Sequence, residues 1–235
     1  MRSLVTNADD FGFTRDVNEG IVYGYRDGIL TATTIMATGA AFDHAVSLAR
    51  DNPGLDIGVH LVLVGAEGFP PSVPRLLLSL ATIRIYEELV RQVRRVIDAG
   101  IRPTHLDTHK HTHLLPPVFS AMARIAREFG IPWIRRPFGP FRFQRPVAGV
   151  RTTDHFAGFR LTGKYDASTL AQLIRTLPEG STEFMCHPGF CTPELNAART
   201  RLKESRRREL DALTSPQVRS AIEESGVRLV SYRDL

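Results

Sequence analysis

The sequence predicts one α/β domain, residues 1–235, built on a mostly parallel β-sheet of seven or eight strands. The first observation is that short runs of β-branched residues alternate with stretches long enough for amphipathic helices, which is typical of βαβ units. The second is that 235 residues with 43% hydrophobic content suffice for one large core. The third is that no stretch has the composition of a linker, which favours a single domain.

Seven segments have the composition of strands and leave room for an eighth. Each is short, and most are rich in apolar and β-branched residues. In chain order they are 3–8, 31–37, 56–64, 103–107, 133–138, 182–188 and 227–232.

Seven helix candidates separate or follow these strands. Several of them end near a glycine, a residue that favours the left-handed conformation just beyond a helix terminus. The candidates lie near 16–27, 41–51, 83–99, 115–129, 167–177, 196–212 and 215–225.

Two connections, 65–74 and 139–164, are rich in glycine, proline and aromatic residues. Long connections inside a compact α/β domain are usually binding loops or disordered segments, and the aromatic content favours binding loops. Their rings, with one just before the second loop, could stack on a sugar or cover a lipid-like group, or they could anchor the loops: Phe69, Phe138, Phe141, Phe143, Phe156 and Phe159.

The net charge of +5 does not indicate a nucleic-acid partner, because the basic residues are spread along the chain. Glutamates interrupt the densest basic run, 198–210, which we interpret as a solvated helical face. The N-terminus lacks the apolar region of a signal peptide, and no apolar run approaches the ~20 residues of a membrane span. We expect a cytoplasmic protein without an integral membrane segment, and the sequence leaves a homodimer open.

Polar residues collect at strand ends. Asp9 and Asp10 follow the first strand, His60 lies in an apolar strand, and His187 follows another in "CHPGF". Taken singly, His60 could be a core histidine, the aspartates could cap the helix starting near Asp16, and "CHPGF" could be a turn. In a parallel α/β barrel, however, the carboxyl ends of the strands converge on one face where catalytic residues collect.

The decapeptide "THLDTHKHTH", residues 104–113, is the strongest signal. Its candidate ligands occupy every second position: His105, Asp107, His109, His111 and His113. On a strand these side chains would share one face, and burying so many imidazoles without a partner would be costly. Five ligands from one decapeptide cannot all reach one ion, so we expect most of them to orient the residues that do.

These residue types indicate a catalytic metal centre. Mixed carboxylate and imidazole donors suit Zn²⁺, Fe²⁺, Co²⁺, Ni²⁺ or Mn²⁺ better than Ca²⁺. Three protein ligands leave a position open for water, whose pKa such an ion lowers to about 7. Because Asp9 and Asp10 are adjacent, one could bind the ion while the other acts as general base.

The chain resembles the YdjC-like carbohydrate deacetylase family, which includes chitooligosaccharide deacetylases and hopanoid-biosynthesis deacetylases. The resemblance rests on "NADDFG", "DGILTATTIMATGAAFDHAV", "GVHLVLV", "THLDTHKHTH", "CHPG" and "SYRDL". It implies an irregular (β/α) barrel that removes N-acetyl groups from amino sugars with one divalent ion, Zn²⁺ or Mg²⁺ or another first-row metal.

Matched motif by motif, the resemblance implies specific roles. The metal ligands are Asp10, His60 and His109, with Asp9 as the base and His187 as the acid. The expected substrate is a small N-acetylated amino sugar, a disaccharide or a glycolipid head group. Chitooligosaccharide-type members read Asp-Ser-His-His-His where residues 107–111 read Asp-Thr-His-Lys-His. The latter looks more like the hopanoid branch, except that this branch often has Asn at the position of Asp107.

Two other functions are compatible with these residues. A metal-dependent phosphoesterase would need cations near the ion, and Arg135 and Arg136 could supply them, although they could also form a solvated strand end. A non-catalytic metal-binding or sugar-binding protein would keep the three ligands but would not need Asp9 or His187. The presence of both therefore favours an enzyme.

Overall fold

The computed structural model describes residues 1–66, 68–79, 84–138 and 148–235. It contains one eight-stranded sheet in the order β5-β4-β3-β2-β1-β7-β6, with β8 also paired to β1. The strands are β1 (Arg2–Phe11), β2 (Ala32–Ile35), β3 (Asp56–Leu61), β4 (His105–Thr108), β5 (Trp133–Ile134), β6 (His155–Ala157), β7 (Gly180–Cys186) and β8 (Arg228–Leu229).

Every strand pairing in these ranges is parallel, and the sheet curves into an irregular (β/α) barrel, which confirms the fold expected from the sequence. At the edge of the sheet, Trp133 of β5 forms an isolated parallel bridge with Arg151, which precedes β6 in the chain. The carboxyl ends of β1, β3 and β4 therefore meet at one mouth of the barrel.

Nine α-helices occur within the described ranges. They are α1 (Arg15–Arg26), α2 (Phe42–Asp51), α3 (Val73–Ser79), α4 (Ile85–Asp98), α5 (Pro116–Glu128), α6 (Ala167–Arg175), α7 (Pro193–Ala197), α8 (Glu204–Leu213) and α9 (Pro216–Ser225). Thr14 caps α1 by accepting a hydrogen bond from the Val17 amide, so the aspartates of "NADDFG" are not needed as caps.

The main core lies between the sheet and the helices, where apolar residues of both are almost fully buried. A smaller cluster joins residues from three strands and the C-terminal segment: Val5, Ala32, Trp133, Val230 and Tyr232. The Val230 amide donates to the Leu4 carbonyl, which anchors the C-terminal segment to β1.

Three elements differ from the sequence expectation. The eighth strand, β6, lies inside the predicted loop 139–164, and α3 begins within the predicted loop 65–74 and continues beyond it. In place of the helix expected at 196–212 there are two helices, α7 and α8, separated by the non-helical residues 198–203. Phe141 and Phe143 lie outside the described residues.

No helix in the described part of the chain is both long and apolar enough to cross a membrane. The cytoplasmic location stays a prediction.

Candidate functional site

An irregularity at the end of β1 aims two adjacent carboxylates at the barrel mouth. The register between β1 and β2 shifts between Ala8 and Phe11, and Asp10 has a left-handed backbone with φ 72°. In a regular strand, neighbouring side chains point to opposite faces. Bulges next to active sites re-aim side chains, and aspartate tolerates the left-handed region better than most residues. The bulge thus lets Asp9 and Asp10 serve the same site.

Asp10, His60 and His109 converge on one point. Asp10 Oδ1 lies 3.3 Å from His60 Nε2 and 3.2 Å from His109 Nδ1, and the two nitrogens are 3.2 Å apart. Asp10 Oδ1 is buried and lacks a hydrogen-bond partner among the described residues. A triangle of this size fits one ion about 2.0–2.2 Å from each atom. The geometry therefore brings together the three ligands expected from the sequence.

The orientation of the His60 ring is set by Asp107, its cross-strand partner in β4. His60 Nδ1 lies 2.7 Å from Asp107 Oδ1, while Asp107 Oδ2 accepts a hydrogen bond from the Thr34 hydroxyl at 3.0 Å. An imidazole that donates through Nδ1 presents the lone pair of Nε2 to an ion. Carboxylates commonly orient metal-binding histidines in this way.

Asp9 is held by a buried arginine. Arg135 donates from Nη2 to Asp9 Oδ1 at 2.6 Å and from Nη1 to Oδ2 at 2.9 Å, and only 1% of its surface is exposed. Burial would raise the pKa of Asp9, but the Arg135 guanidinium outweighs burial and keeps this pKa well below its usual range. The alternative that Arg135 forms a solvated strand end is wrong, because its side chain is buried and paired with a carboxylate inside the barrel.

Arg135 also contacts two further carboxylates. Its Nη2 lies 2.7 Å from Asp107 Oδ2 and 2.7 Å from Glu183 Oε1. The single positive charge of Arg135 cannot neutralise three buried carboxylates at once. Burial raises the pKa of Glu183 to about 7, and repulsion from Asp107 and Asp9 adds to this effect, although Arg135 opposes it. Glu183 is therefore partly protonated at neutral pH.

His187 stands beside Asp9 at the mouth. Its Nε2 lies 3.9 Å from Asp9 Oδ2, and its backbone amide donates to Glu209 Oε2 at 2.6 Å. Its Nδ1 is buried and has no hydrogen-bond partner in the described ranges. Burial lowers the pKa of the His187 ring despite the nearby carboxylates of Asp9 and Glu209.

The basic run 198–210 is not simply a solvated face, which corrects that expectation. Arg206 and Glu209 in α8 are both 1% exposed. Arg206 Nη2 donates to Asp10 Oδ2, and Glu209 Oε1 accepts from the Gly163 amide at 2.6 Å. The two residues point inward because they follow the helical spacing of the buried residues Leu210 and Leu213.

The alternating residues of 104–113 do not share a strand face, contrary to expectation. β4 ends at Thr108, and a kinked 3₁₀ segment with positive φ at Lys110 and His111 follows. His105 and Asp107 still point into the barrel, where His105 Nε2 lies 3.0 Å from Asn7 Oδ1. His113 packs near the site, with Nδ1 2.8 Å from the Thr108 hydroxyl.

The kink carries His111 into an aromatic cluster at the mouth. Its ring centroid lies 5.0 Å from Phe138 and 5.1 Å from Phe159, and Phe138 stacks on Phe156 at 4.8 Å. Burial lowers the pKa of His111, and the positive charge of Arg135 lowers it further. Phe159 remains 49% exposed.

Comparison with known proteins agrees with this architecture. Residues 3–224 match the family model described as YdjC-like protein. The chain is 31% identical to a carbohydrate deacetylase from Clostridium beijerinckii, covering 99% of each chain. It is 34% identical to a chitooligosaccharide deacetylase from Klebsiella pneumoniae, covering 100% of this chain and 99% of the relative.

A crystal structure from Enterococcus faecalis V583 is also similar. That protein is described as a candidate for cellobiose-phosphate cleavage, and it matches with a TM-score of 0.84 and 27% identity. The match covers 99% of this chain and 98% of the other. From the family model and the two full-length relatives we conclude that the chain belongs to the YdjC-like family.

Proposed function

We propose that this protein is a metal-dependent hydrolase that removes the N-acetyl group from a small amino-sugar compound. The observation that carries the proposal is the triangle formed by Asp10 Oδ1, His60 Nε2 and His109 Nδ1, which lies beside Asp9 and His187. The deacetylase names of the Clostridium and Klebsiella relatives support the same reaction.

The three proposed ligands fit one divalent ion. Asp10 Oδ1 is buried without a well-formed hydrogen bond among the described residues. The two ring nitrogens that face it are the other proposed ligand atoms, so one ion would satisfy all three. Two imidazoles and one carboxylate suit Zn²⁺ and other first-row ions, and we retain Mg²⁺ as a candidate. When bound, the ion would polarise the acetamide carbonyl and make water more acidic.

Asp9 and His187 would move the protons. Arg135 keeps Asp9 ionised, which is the protonation state that a general base needs, although the same guanidinium weakens the basicity of this carboxylate. His187 would protonate the nitrogen as the C–N bond breaks, which releases acetate and a free amine. Because burial lowers the pKa of His187, a proton on this ring is readily given to the leaving nitrogen.

The geometry disfavours the phosphoesterase alternative. Arg135 is buried and engaged with three carboxylates, while Arg136 donates to the Thr153 carbonyl at 3.2 Å. These two arginines, which the sequence offered as the phosphate-binding cations, are therefore already engaged elsewhere. A non-catalytic binding protein has no use for the buried Asp9–Arg135 pair beside the triangle.

The aromatic cluster supports a small substrate. Phe138, Phe156 and Phe159 pack against His111 next to the catalytic residues, and the exposed Phe159 ring offers a surface for a sugar or an apolar aglycone. We propose one or two sugar units or a glycolipid head group as the substrate. A homodimer stays a prediction.

We expect short substrates to release acetate faster than long ones. The comparison uses N-acetylglucosamine, its dimer, its hexamer and an N-acetylglucosaminyl lipid at matched acetyl concentration. A site bounded by aromatic side chains suits one or two sugar units better than a polymer. A hexamer hydrolysed far faster than every small substrate would instead indicate an open groove.

Ion affinity is expected to rise with pH beyond the range of an ordinary histidine. Burial lowers the pKa of His60, but Asp107, Asp10 and Asp9 outweigh burial and raise it to about 10 in the metal-free protein. The ion needs the free Nε2 lone pair, so it displaces a proton at any pH below this pKa.

The Kd for Zn²⁺ should therefore fall about tenfold per pH unit from pH 6.5 to 8.5, as measured with a competing chelator. An ordinary histidine would level off above about pH 6.5. A Kd that stays constant above pH 7 would contradict the raised pKa of His60.

The proposal is tested by acetate release from the panel above after chelation and after adding back Zn²⁺, Co²⁺, Mn²⁺ or Mg²⁺. We expect no turnover in the chelated protein and recovery with at least one ion. Acetate release that persists after complete removal of metal would rule out the proposed mechanism.

A further inference from the structure

We propose that Arg206 is a positioning residue that limits Asp10 to one ligand oxygen, Oδ1. The inference rests on the proposed metal centre and extends it to α8, a helix from the last quarter of the chain. The sequence run that contains Arg206 has the composition of a solvated surface, yet the structure buries this side chain against the site.

The contacts of the Asp10 carboxylate divide its two oxygens between different roles. Oδ1 faces His60 Nε2 and His109 Nδ1, whereas Oδ2 accepts a hydrogen bond from Arg206 Nη2. A guanidinium that donates to one carboxylate oxygen occupies one of its lone pairs and holds it in place, so the other oxygen is the more available ligand for an ion. The contact therefore favours ligation through Oδ1 alone over chelation through both oxygens.

Single-oxygen ligation has a chemical consequence. With one donor from each of Asp10, His60 and His109, a bound ion would keep coordination positions for water and for the acetamide carbonyl. Two oxygens from Asp10 would occupy one of these positions and draw the carboxylate towards the ion. Catalytic metal sites depend on such open positions.

Arg206 is held so that it can perform this role. Its Nε donates to the Leu202 carbonyl at 3.3 Å, and its carbonyl accepts from the Gly189 amide at 3.3 Å, just beyond His187. Its Nη1 is buried without a hydrogen-bond partner in the described part of the chain, which is costly for a guanidinium. One turn later, Glu209 holds the His187 amide. One turn of α8 therefore contacts both the proposed ligand Asp10, through Arg206, and the proposed acid His187, through Glu209.

The test compares Arg206→Met with the unmodified protein and with the control Arg207→Met. Arg207 is the next residue of the same helix, but it is exposed, and its one salt bridge within the described ranges is to Asp211 at 2.7 Å. Each protein is loaded with Co²⁺, and three properties are measured: the Kd for Co²⁺, the visible absorption spectrum and the rate of acetate release.

For Arg206→Met we expect one Co²⁺ per chain, bound no more weakly than in the parent, because a neighbouring cation has been removed. The visible bands should lose intensity, because a second Asp10 oxygen raises the coordination number of Co²⁺. Acetate release should fall about 10- to 100-fold, as for other residues that orient metal ligands. Arg207→Met should match the parent in all three properties.

A purely structural role would weaken Co²⁺ binding together with activity and leave the spectrum of the bound ion unchanged, and this outcome would overturn the proposal. A parent-like spectrum and rate in Arg206→Met would also overturn it. If this variant does not fold, Arg206→Gln, whose amide is too short to reach Asp10 Oδ2, decides between the same outcomes. Failure of the parent itself to bind Co²⁺ would contradict the metal centre instead.

Discussion

An Asp10→Asn protein is expected to lose the ion and turnover together. The amide oxygen of asparagine carries no full negative charge, so the site would consist of two histidines and a weak ligand. Losing an ion that stabilises the transition state by several kcal/mol should lower turnover by about 10³-fold or more. Asparagine also tolerates the left-handed backbone at this position, so the substitution changes charge more than shape.

Elemental analysis and Zn²⁺ titration measure the loss of the ion, with Asp211→Asn as a control on an exposed carboxylate of α8. His109→Ala removes a ligand without changing the contact between Asp10 and Arg206, and it should also lose the ion. Undiminished Zn²⁺ affinity in His109→Ala would rule out this set of ligands.

An Asp9→Asn protein is expected to keep the ion but lose turnover by about 10²- to 10⁴-fold, the usual effect of removing a general base. Asp9 lies outside the triangle of Asp10, His60 and His109. Its ligand atoms also come close to those of His60 and Asp107, but Arg135 already contacts the carboxylates of both Asp9 and Asp107, which leaves that second group to the guanidinium. The measurement pairs Zn²⁺ stoichiometry with acetate release, so that a lost base is distinguished from a lost ion.

Glu183→Gln is the matched control, because Glu183 contacts the same guanidinium. Its pKa of about 7 means that the carboxyl is already partly protonated at neutral pH, so an uncharged amide should change turnover less than Asp9→Asn does. If Asp9→Asn keeps near-normal turnover, the base must be sought elsewhere, and Asp107 is the next candidate.

The sequence predicts the residues that the strand ends bring together. Asp10, His60 and His109 follow or lie in three apolar strands. Parallel pairing brings the carboxyl ends of these strands to the same edge of the sheet, with β2 between β1 and β3. The same reasoning places Asp9 and His187 beside the triangle. These placements can be predicted from local composition, because all strands of a parallel sheet end at the same face and the residues after them lie close together. The roles of the five residues stay predictions.

The buried cations could not be predicted in the same way, because Arg135 and Arg206 occur in segments whose composition also fits a solvated surface. Each of them pairs with a carboxylate of β1 that lies more than 100 residues away in the chain. The spacing does indicate that Arg206 faces the core, because it lies four residues before Leu210 and seven before Leu213, and both leucines are buried on the same helical face. Several carboxylates at strand ends also require a compensating cation.

The kink after β4 could not be predicted from the sequence either. Alternation of polar residues over 104–113 is typical of a strand. The composition does not predict that two consecutive residues, Lys110 and His111, have positive φ. Non-glycine residues in this region cost about 1–3 kcal/mol each and persist where the surrounding structure requires them. Here the kink moves His111 out of line with His109 and into the phenylalanine cluster.

The left-handed backbone of Asp10 restricts which amino acid can occupy this position, whatever the ion. Glutamate would retain the carboxylate, but it lacks the short side chain that makes a positive φ tolerable and would extend further into the site. Asparagine and glycine fit the backbone but provide no charge. His60 and His109 are free of this restriction, since neither has a positive φ. Attempts to re-engineer the site for other ions should therefore begin at the two histidines, because a new ligand at position 10 would first need a different strand end.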